Sequence, residues 1–143
     1  MENKKNFNYP NNKSMINYSW YETLIKPNFA PPAWIFSPVW TILYISIFIA
    51  LIFYAKTFNL KDKRWGYALF IGQMLINFAW TPIFFGLKNI GLALAIIVLL
   101  DILVLWNIVV FYKNSKPAGL ILVPYFLWIL FATYLNFGYF ILN

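Results

Sequence analysis

Ile90-Gly91-Leu92-Ala93-Leu94-Ala95-Ile96-Ile97-Val98-Leu99-Leu100-Asp101-Ile102-Leu103-Val104-Leu105-Trp106-Asn107-Ile108-Val109-Val110-Phe111-Tyr112 decides the fold class, because Asp101 is its one charged residue. A helix crosses the hydrocarbon core of a bilayer with roughly 20 largely apolar residues, and this run exceeds that. It reads as a helix apolar on every side, the pattern of a membrane span. Lys88-Asn89 precedes it and Lys113-Asn114-Ser115-Lys116-Pro117 follows it, both turn-forming and charged.

Three more runs of the same kind lie outward from it, over about 36–55, 65–87 and 117–142, with Lys61-Asp62-Lys63-Arg64 marking the first break. The expected fold is an all-α integral membrane protein, a helix bundle of four spans. No internal repeat is visible, which argues against a transporter built from inverted halves. Residues 1–19 are polar and Asn/Lys-rich, with no apolar stretch or cleavage site of a signal peptide, and read as an N-terminal tail. Between tail and spans, Trp20 to Pro38 holds Pro27, Pro31, Pro32 and Pro38. Each proline removes a backbone donor and restricts the residue before it, so this segment reads as a stiffened aromatic loop on the membrane surface, heading a membrane domain over 20–143.

Composition agrees. Of 143 residues, 62% are hydrophobic and 10% charged, far from the balance of a soluble globule. The chain has no Cys and no His, which excludes disulfide frameworks, thiolate chemistry, Cys/His metal sites and His-dependent triads. No metal and no required cofactor is expected. The net charge of +7 comes from Lys and Arg in tails and connections, where it serves membrane topology, so the partner is lipid and not nucleic acid. Lys4, Lys5, Lys13, Lys26 and Lys88 fall on one side; Lys56, Lys61, Lys63, Arg64, Lys113 and Lys116 fall on the other, which the positive-inside rule slightly favours as cytoplasmic.

In helices apolar all round, polar and aromatic positions mark the inward face. Gln73, Asn77, Trp80 and Phe84 share one stripe of the second span; Tyr125, Trp128, Ala132, Asn136 and Tyr139 share one of the last, with Phe131 beside them. Trp40 and Tyr44, four apart, offer a third wall. Two readings stand. The stripes line a cavity for a flat, mostly apolar ligand, or they are interhelical glue in which amides hydrogen-bond across the bundle and rings fill it. Asp101, alone in mid-span, is either a protonated group bonded to a backbone carbonyl or part of a proton relay, and no second carboxylate accompanies it.

Ordered blocks then carry a resemblance. Trp20-Tyr21-Glu22-Thr23-Leu24-Ile25-Lys26-Pro27-Asn28-Phe29-Ala30-Pro31-Pro32 and Pro38-Val39-Trp40-Thr41-Ile42-Leu43-Tyr44 resemble the signature of the TspO/MBR family, the tryptophan-rich sensory proteins and translocator (peripheral benzodiazepine receptor) proteins. Gln73 to Asn77 with Trp80, Phe84 and Phe85 is similar too, as are Pro124-Tyr125-Phe126-Leu127-Trp128 and Phe131-Ala132-Thr133-Tyr134-Leu135-Asn136. The resemblance implies a bundle with one pocket for porphyrins and synthetic aromatic ligands, and sterols in some members. Carried over, the pocket uses Tyr21, Trp34, Trp40, Tyr44, Asn77, Trp80, Thr81, Trp128, Phe131, Ala132 and Leu135. The implied function is a membrane receptor or carrier for protoporphyrin or haem linked to stress or tetrapyrrole control, with Trp40 and Trp128 flanking the macrocycle and Asn77 orienting a polar edge.

An alternative is light- and oxygen-dependent porphyrin degradation, with Trp40 and Trp128 as the candidate catalytic residues; a non-binding scaffold is a third. Two departures are visible. Members usually carry a further helix before the first block, where this chain has its polar segment, so a four-span form with that helix missing is expected, its pocket wall closed by a second protomer in a homodimer, closed by the tail, or left open to lipid. Leu135 and Tyr139 are not followed by the basic residue of the proposed sterol pattern, which argues against a sterol role. The Asn/Lys/Ile/Phe bias suggests an AT-rich genome, and with no targeting signal read in the chain a bacterial cytoplasmic membrane is expected, with an organellar outer membrane as the other choice.

Overall fold

The computed structural model describes residues 18–57 and 63–143. All regular structure in them is helical. A short helix, α1 (Tyr18–Thr23), and a single 3₁₀ turn (Ala33–Ile35) precede α2 (Phe36–Ala55), α3 (Lys63–Thr81), α4 (Ile90–Asn114) and α5 (Lys116–Leu142). Four helices are long and apolar enough to cross a membrane, α3 being extended to Gly86 by a wider turn. The tail expected over residues 1–19 lies outside the described residues except for Tyr18 and Ser19, which begin α1. The stretch read as loop therefore contains one helix before its first proline. Pro38 does not break α2 either, since it sits in the first turn, where a missing N–H costs nothing.

Pro82 shapes the α3–α4 connection. Without an N–H it cannot continue the α-helical ladder, and the chain widens into one π turn over Pro82–Gly86, closed by Leu87 N donating to the Pro82 carbonyl at 2.9 Å. The extra residue turns both Phe84 and Phe85 inward. Lys88 then adopts φ 54°, the left-handed conformation that ends helices, and Asn89 caps α4 by accepting from Leu92 N at 3.0 Å. Ser115 separates α4 from α5 in extended backbone and its hydroxyl caps α5 through Ala118 N.

α5 packs on both α2 and α4, and α4 packs on α3, whereas α2 and α3 meet through long side chains, Tyr44 with Asn77 and Phe78 and Tyr54 with Tyr67. The bundle is solid at the end holding the α2–α3 and α4–α5 connections. There Tyr54, Phe111 and Phe70 form a stack, at 4.1 Å between the first pair and 6.1 Å between the second, one ring from each of α2, α4 and α3. Toward the other end the interior opens. Lys26 and Lys88 lie at that open end and Lys56, Lys63, Arg64, Lys113 and Lys116 at the solid one, the partition expected from the order of the spans.

Candidate ligand-binding site

A cavity of about 350 Å³ occupies the open half of the bundle. Its floor is Tyr44 and Asn77, which belong to a layer of four hydrogen-bonded side chains. Tyr44 Oη donates to Asn77 Oδ1 at 2.7 Å, Asn77 Nδ2 donates to Tyr125 Oη at 2.7 Å, and Tyr125 Oη donates to Gln73 Oε1 at 2.8 Å. This layer ties α2, α3 and α5 together at a depth where lipid offers the amides no other partner.

Aromatic rings make the walls. Trp40 stacks on Tyr44 at 5.5 Å and meets Tyr125 edge-on at 6.4 Å. Trp80 stacks on Phe84 at 5.0 Å, and its indole is fixed in rotation because Nε1 donates to Asn136 Oδ1 at 3.0 Å while Asn136 Nδ2 donates to the Ile90 carbonyl at 3.1 Å. Trp128 stands edge-on to Phe36 at 5.9 Å. Its Nε1 is buried with no partner among the described residues. Ile97 and Leu100 of α4 with Ile129, Ala132 and Leu135 of α5 close the back.

The roof is Tyr21 from α1. It is 3% exposed, lies 5.3 Å from the Tyr139 ring and 5.6 Å from Phe85, and its hydroxyl accepts from Tyr139 Oη at 2.8 Å. Burial pushes the Tyr21 phenol above its ordinary pKa, which keeps it neutral. No charged side chain among the described residues lines the cavity.

Tyr21, Trp40, Tyr44, Asn77, Trp80, Thr81, Trp128, Ala132 and Leu135 line this space together. Trp34 and Phe131 do not: Trp34 is 73% exposed in the 3₁₀ turn, and Phe131 packs behind Trp128 at 5.5 Å. Gln73, Asn77, Tyr125 and Asn136 hydrogen-bond across the bundle, and of these Asn77 and Asn136 also line the void, with Trp80 and Tyr139. Asn77 is less free than a ligand-orienting role supposes, because its oxygen and one N–H are committed to Tyr44 and Tyr125. Asp101 is bonded to a side chain and not to a backbone carbonyl: the Thr133 hydroxyl is shared between its Oδ2 at 2.7 Å and the Ile129 carbonyl at 2.9 Å, and its Oδ1 is buried without a partner among the described residues.

Sequence reasoning missed Phe36, Ser37, Thr41, Ile97, Leu100 and Ile129 as lining residues. Ile97, Leu100 and Ile129 offered no signal, being aliphatic among aliphatics; Thr41 did, lying one residue from Trp40 and three from Tyr44.

Comparison with known proteins agrees with this architecture. The model of the TspO/MBR family matches residues 7–142. The chain is 43% identical over 127 residues to the tryptophan-rich protein TspO of Chlorobaculum tepidum, covering 87% of this chain and 80% of that one. It is 45% identical over 125 residues to the protein of the same name from Archaeoglobus fulgidus, with 87% and 80% covered. The translocator protein of Bos taurus is 33% identical over 122 residues, with 84% and 72% covered. The chain is thus an integral, multi-pass membrane protein that belongs to the TspO/MBR family.

Proposed function

We propose that the protein is a membrane receptor or carrier for tetrapyrroles such as protoporphyrin or haem, and that the cavity under Tyr21 is their site. The observation that carries this reading is the uncharged cavity of about 350 Å³ walled by Trp40, Trp80 and Trp128. Flat π faces favour a flat conjugated ligand, and a volume near the lower bound of about 300 Å³ for small-molecule sites suits a macrocycle inserted edge first. With no His or Cys in the chain, a haem would be held chiefly by its faces and edges. Relatives named tryptophan-rich sensory protein and translocator protein fit such a role. A bacterial cytoplasmic membrane is the location this reading favours.

The test is a titration of the protein in detergent with protoporphyrin IX, in the dark and then in light, beside the Trp40→Phe, Trp128→Phe double variant. Phe keeps a stacking face but is much harder to oxidise than indole. Saturable tryptophan quenching with a stable porphyrin absorption band in light is the expected result for a receptor or carrier. Light-driven loss of the band that vanishes in the double variant would replace it with photo-oxidative degradation of porphyrin, for which both indoles are placed on the cavity wall. Absence of saturable quenching would overturn the ligand-binding reading.

A further inference from the structure

The hydrogen bonds of the floor layer run in one direction. Tyr44 donates to Asn77 and Asn77 to Tyr125, whose single proton then goes to Gln73 Oε1. Gln73 can therefore pass the chain on only through Nε2, and that nitrogen is buried without a partner among the described residues. Asn107 of α4 is in the same condition: its Oδ1 and Nδ2 are both buried and both unpartnered among the described residues. Gln73 and Asn107 are each 0% exposed, and neither lines the cavity. An amide enclosed in this way destabilises the bundle unless something meets it.

The helices bring the two amides to one place. α3 and α4 run antiparallel on either side of the short connection over 82–89, and Phe70 of the first meets Phe111 of the second at 6.1 Å. Gln73 lies three residues after Phe70 and Asn107 four before Phe111, about one turn in each helix, so the amides repeat the relation of the rings one turn nearer the cavity. Measured from the solid end, Gln73 is about 15 Å along α3 and Asn107 about 10 Å along α4. Helical side chains lean toward their own N-terminus. In this antiparallel pair Gln73 leans toward the solid end and Asn107 toward the open one, which closes the offset of about 5 Å. The stack of Tyr54, Phe111 and Phe70 covers the solid side of this place, and Tyr125 with its layer lies on the cavity side.

The amides do not bond each other directly. We propose that one buried water bridges them, accepting from Gln73 Nε2 and donating to Asn107 Oδ1, and so extends the floor layer from α2, α3 and α5 to α4. The chemistry of the place selects water. Two neutral amides among the rings of Phe70, Phe111 and Tyr125 offer an ion no counter-charge, whereas buried waters settle where polar groups would otherwise be orphaned, making about three hydrogen bonds each. Asn107 Nδ2 then has the carbonyl one turn back on its own helix, the kind of bond that Asn114 Nδ2 makes to Val110 at 3.0 Å. The completed chain, Tyr44–Asn77–Tyr125–Gln73–water–Asn107, touches all four spans. Asn107 reaches no wall of the cavity, yet it becomes a positioning residue for the floor.

Two measurements on the full chain test the site. A crystal structure grown from a lipid mesophase is expected to show one ordered water within about 2.7–3.2 Å of both Gln73 Nε2 and Asn107 Oδ1. No density there, or the two amides bonded to each other without a water between, overturns the proposal, and this readout needs no variant to fold. Unfolding by sodium dodecyl sulfate in mixed micelles is then compared for the parent, Gln73→Met, Asn107→Leu and the double variant, since Met has the length of Gln and Leu the branching of Asn. Asn107→Leu is expected to lower the folding equilibrium constant by about 3- to 20-fold, the range of one side-chain hydrogen bond between membrane helices. An amide with nothing to meet it would instead give a variant more stable than the parent, which overturns the proposal. The double variant is expected to lose less than the product of the two single losses, because either replacement already strands the shared water; losses that simply multiply mean that the amides share nothing, and also overturn it.

Discussion

Tyr125→Phe removes one oxygen atom and should measurably destabilise the bundle. Tyr125 is fully buried, and its hydroxyl is the one group that joins Asn77 of α3 to Gln73 one turn earlier. Without it, Asn77 Nδ2 and Gln73 Oε1 both lose their partners, and Gln73 keeps none among the described residues. Side-chain hydrogen bonds between membrane helices average about 0.6 kcal/mol and reach about 1.7, so two of them place the loss at about 1 to 3 kcal/mol. Stability is read from unfolding by sodium dodecyl sulfate in mixed micelles, followed by tryptophan fluorescence. The second arm is Tyr125→Phe with Gln73→Leu, which removes the stranded amide along with its partner and should recover part of the loss, because replacing both ends of a buried bond by apolar groups is nearly neutral. A Tyr125→Phe variant within about 0.3 kcal/mol of the parent, or a double variant whose losses simply add, would refute the view that this layer holds the cavity floor.

Three further outcomes follow from the same geometry. Gly119→Ala places a Cβ 2.6 Å from Tyr112 Cβ and 2.7 Å from its Cα; backbone cannot swing aside, so α4 and α5 must part at their connection, and the unfolding midpoint should fall by an amount equivalent to about 1 to 3 kcal/mol. Asp101→Leu should stabilise the bundle by about 1 kcal/mol or more in the same assay, since it removes a mid-span carboxyl with an unpartnered oxygen while Thr133 keeps the Ile129 carbonyl; a loss of stability would reveal a partner for Asp101. The Tyr21 phenol has its folded pKa raised by burial above the ordinary 10.0, so its contribution to roof docking is complete below pH 10 and is lost as pH rises beyond it; proteolysis of the 24–32 segment should accelerate above pH 10 in the parent, with the step absent in Tyr21→Phe.

Much of the bundle can be read from the chain because lipid imposes a single demand on a span, a long apolar run, and the runs around Ile47, Met74, Ile97 and Ile129 each meet it. The inward faces of α3 and α5 are legible for a related reason: an amide or phenol in such a run must find a partner, so Gln73, Asn77, Tyr125 and Asn136 mark the interior. The rest depends on contrast the sequence lacks. α4 lines the cavity with Ile97 and Leu100, which nothing distinguishes from the lipid-facing Val98 and Leu99 beside them. The π turn follows from Pro82, but its consequence, two successive rings turned inward, depends on a one-residue shift that periodicity does not anticipate. Trp34 has the residue type of a pocket wall and faces outward because the 3₁₀ turn, and not an α-helix, carries it. That α2 and α3 meet through side chains such as Tyr44 and Phe78 is a property of how helices pair, and no single helix encodes it.

Ligand binding in the aromatic cavity requires that the void beside Ala132 be where the ligand sits. Ala132 lines the cavity and is 7% exposed, so Ala132→Leu fills that space with a larger side chain without touching the floor bonds or the roof. The most direct measurement is protoporphyrin IX binding to parent and Ala132→Leu in the dark, by tryptophan quenching, with the unfolding midpoint of each recorded in parallel. One saturable site in the parent, weakened at least about tenfold by a variant no less stable than it, is the predicted result. Equal affinity in the two proteins would contradict it, because the ligand would then be bound somewhere other than the aromatic cavity.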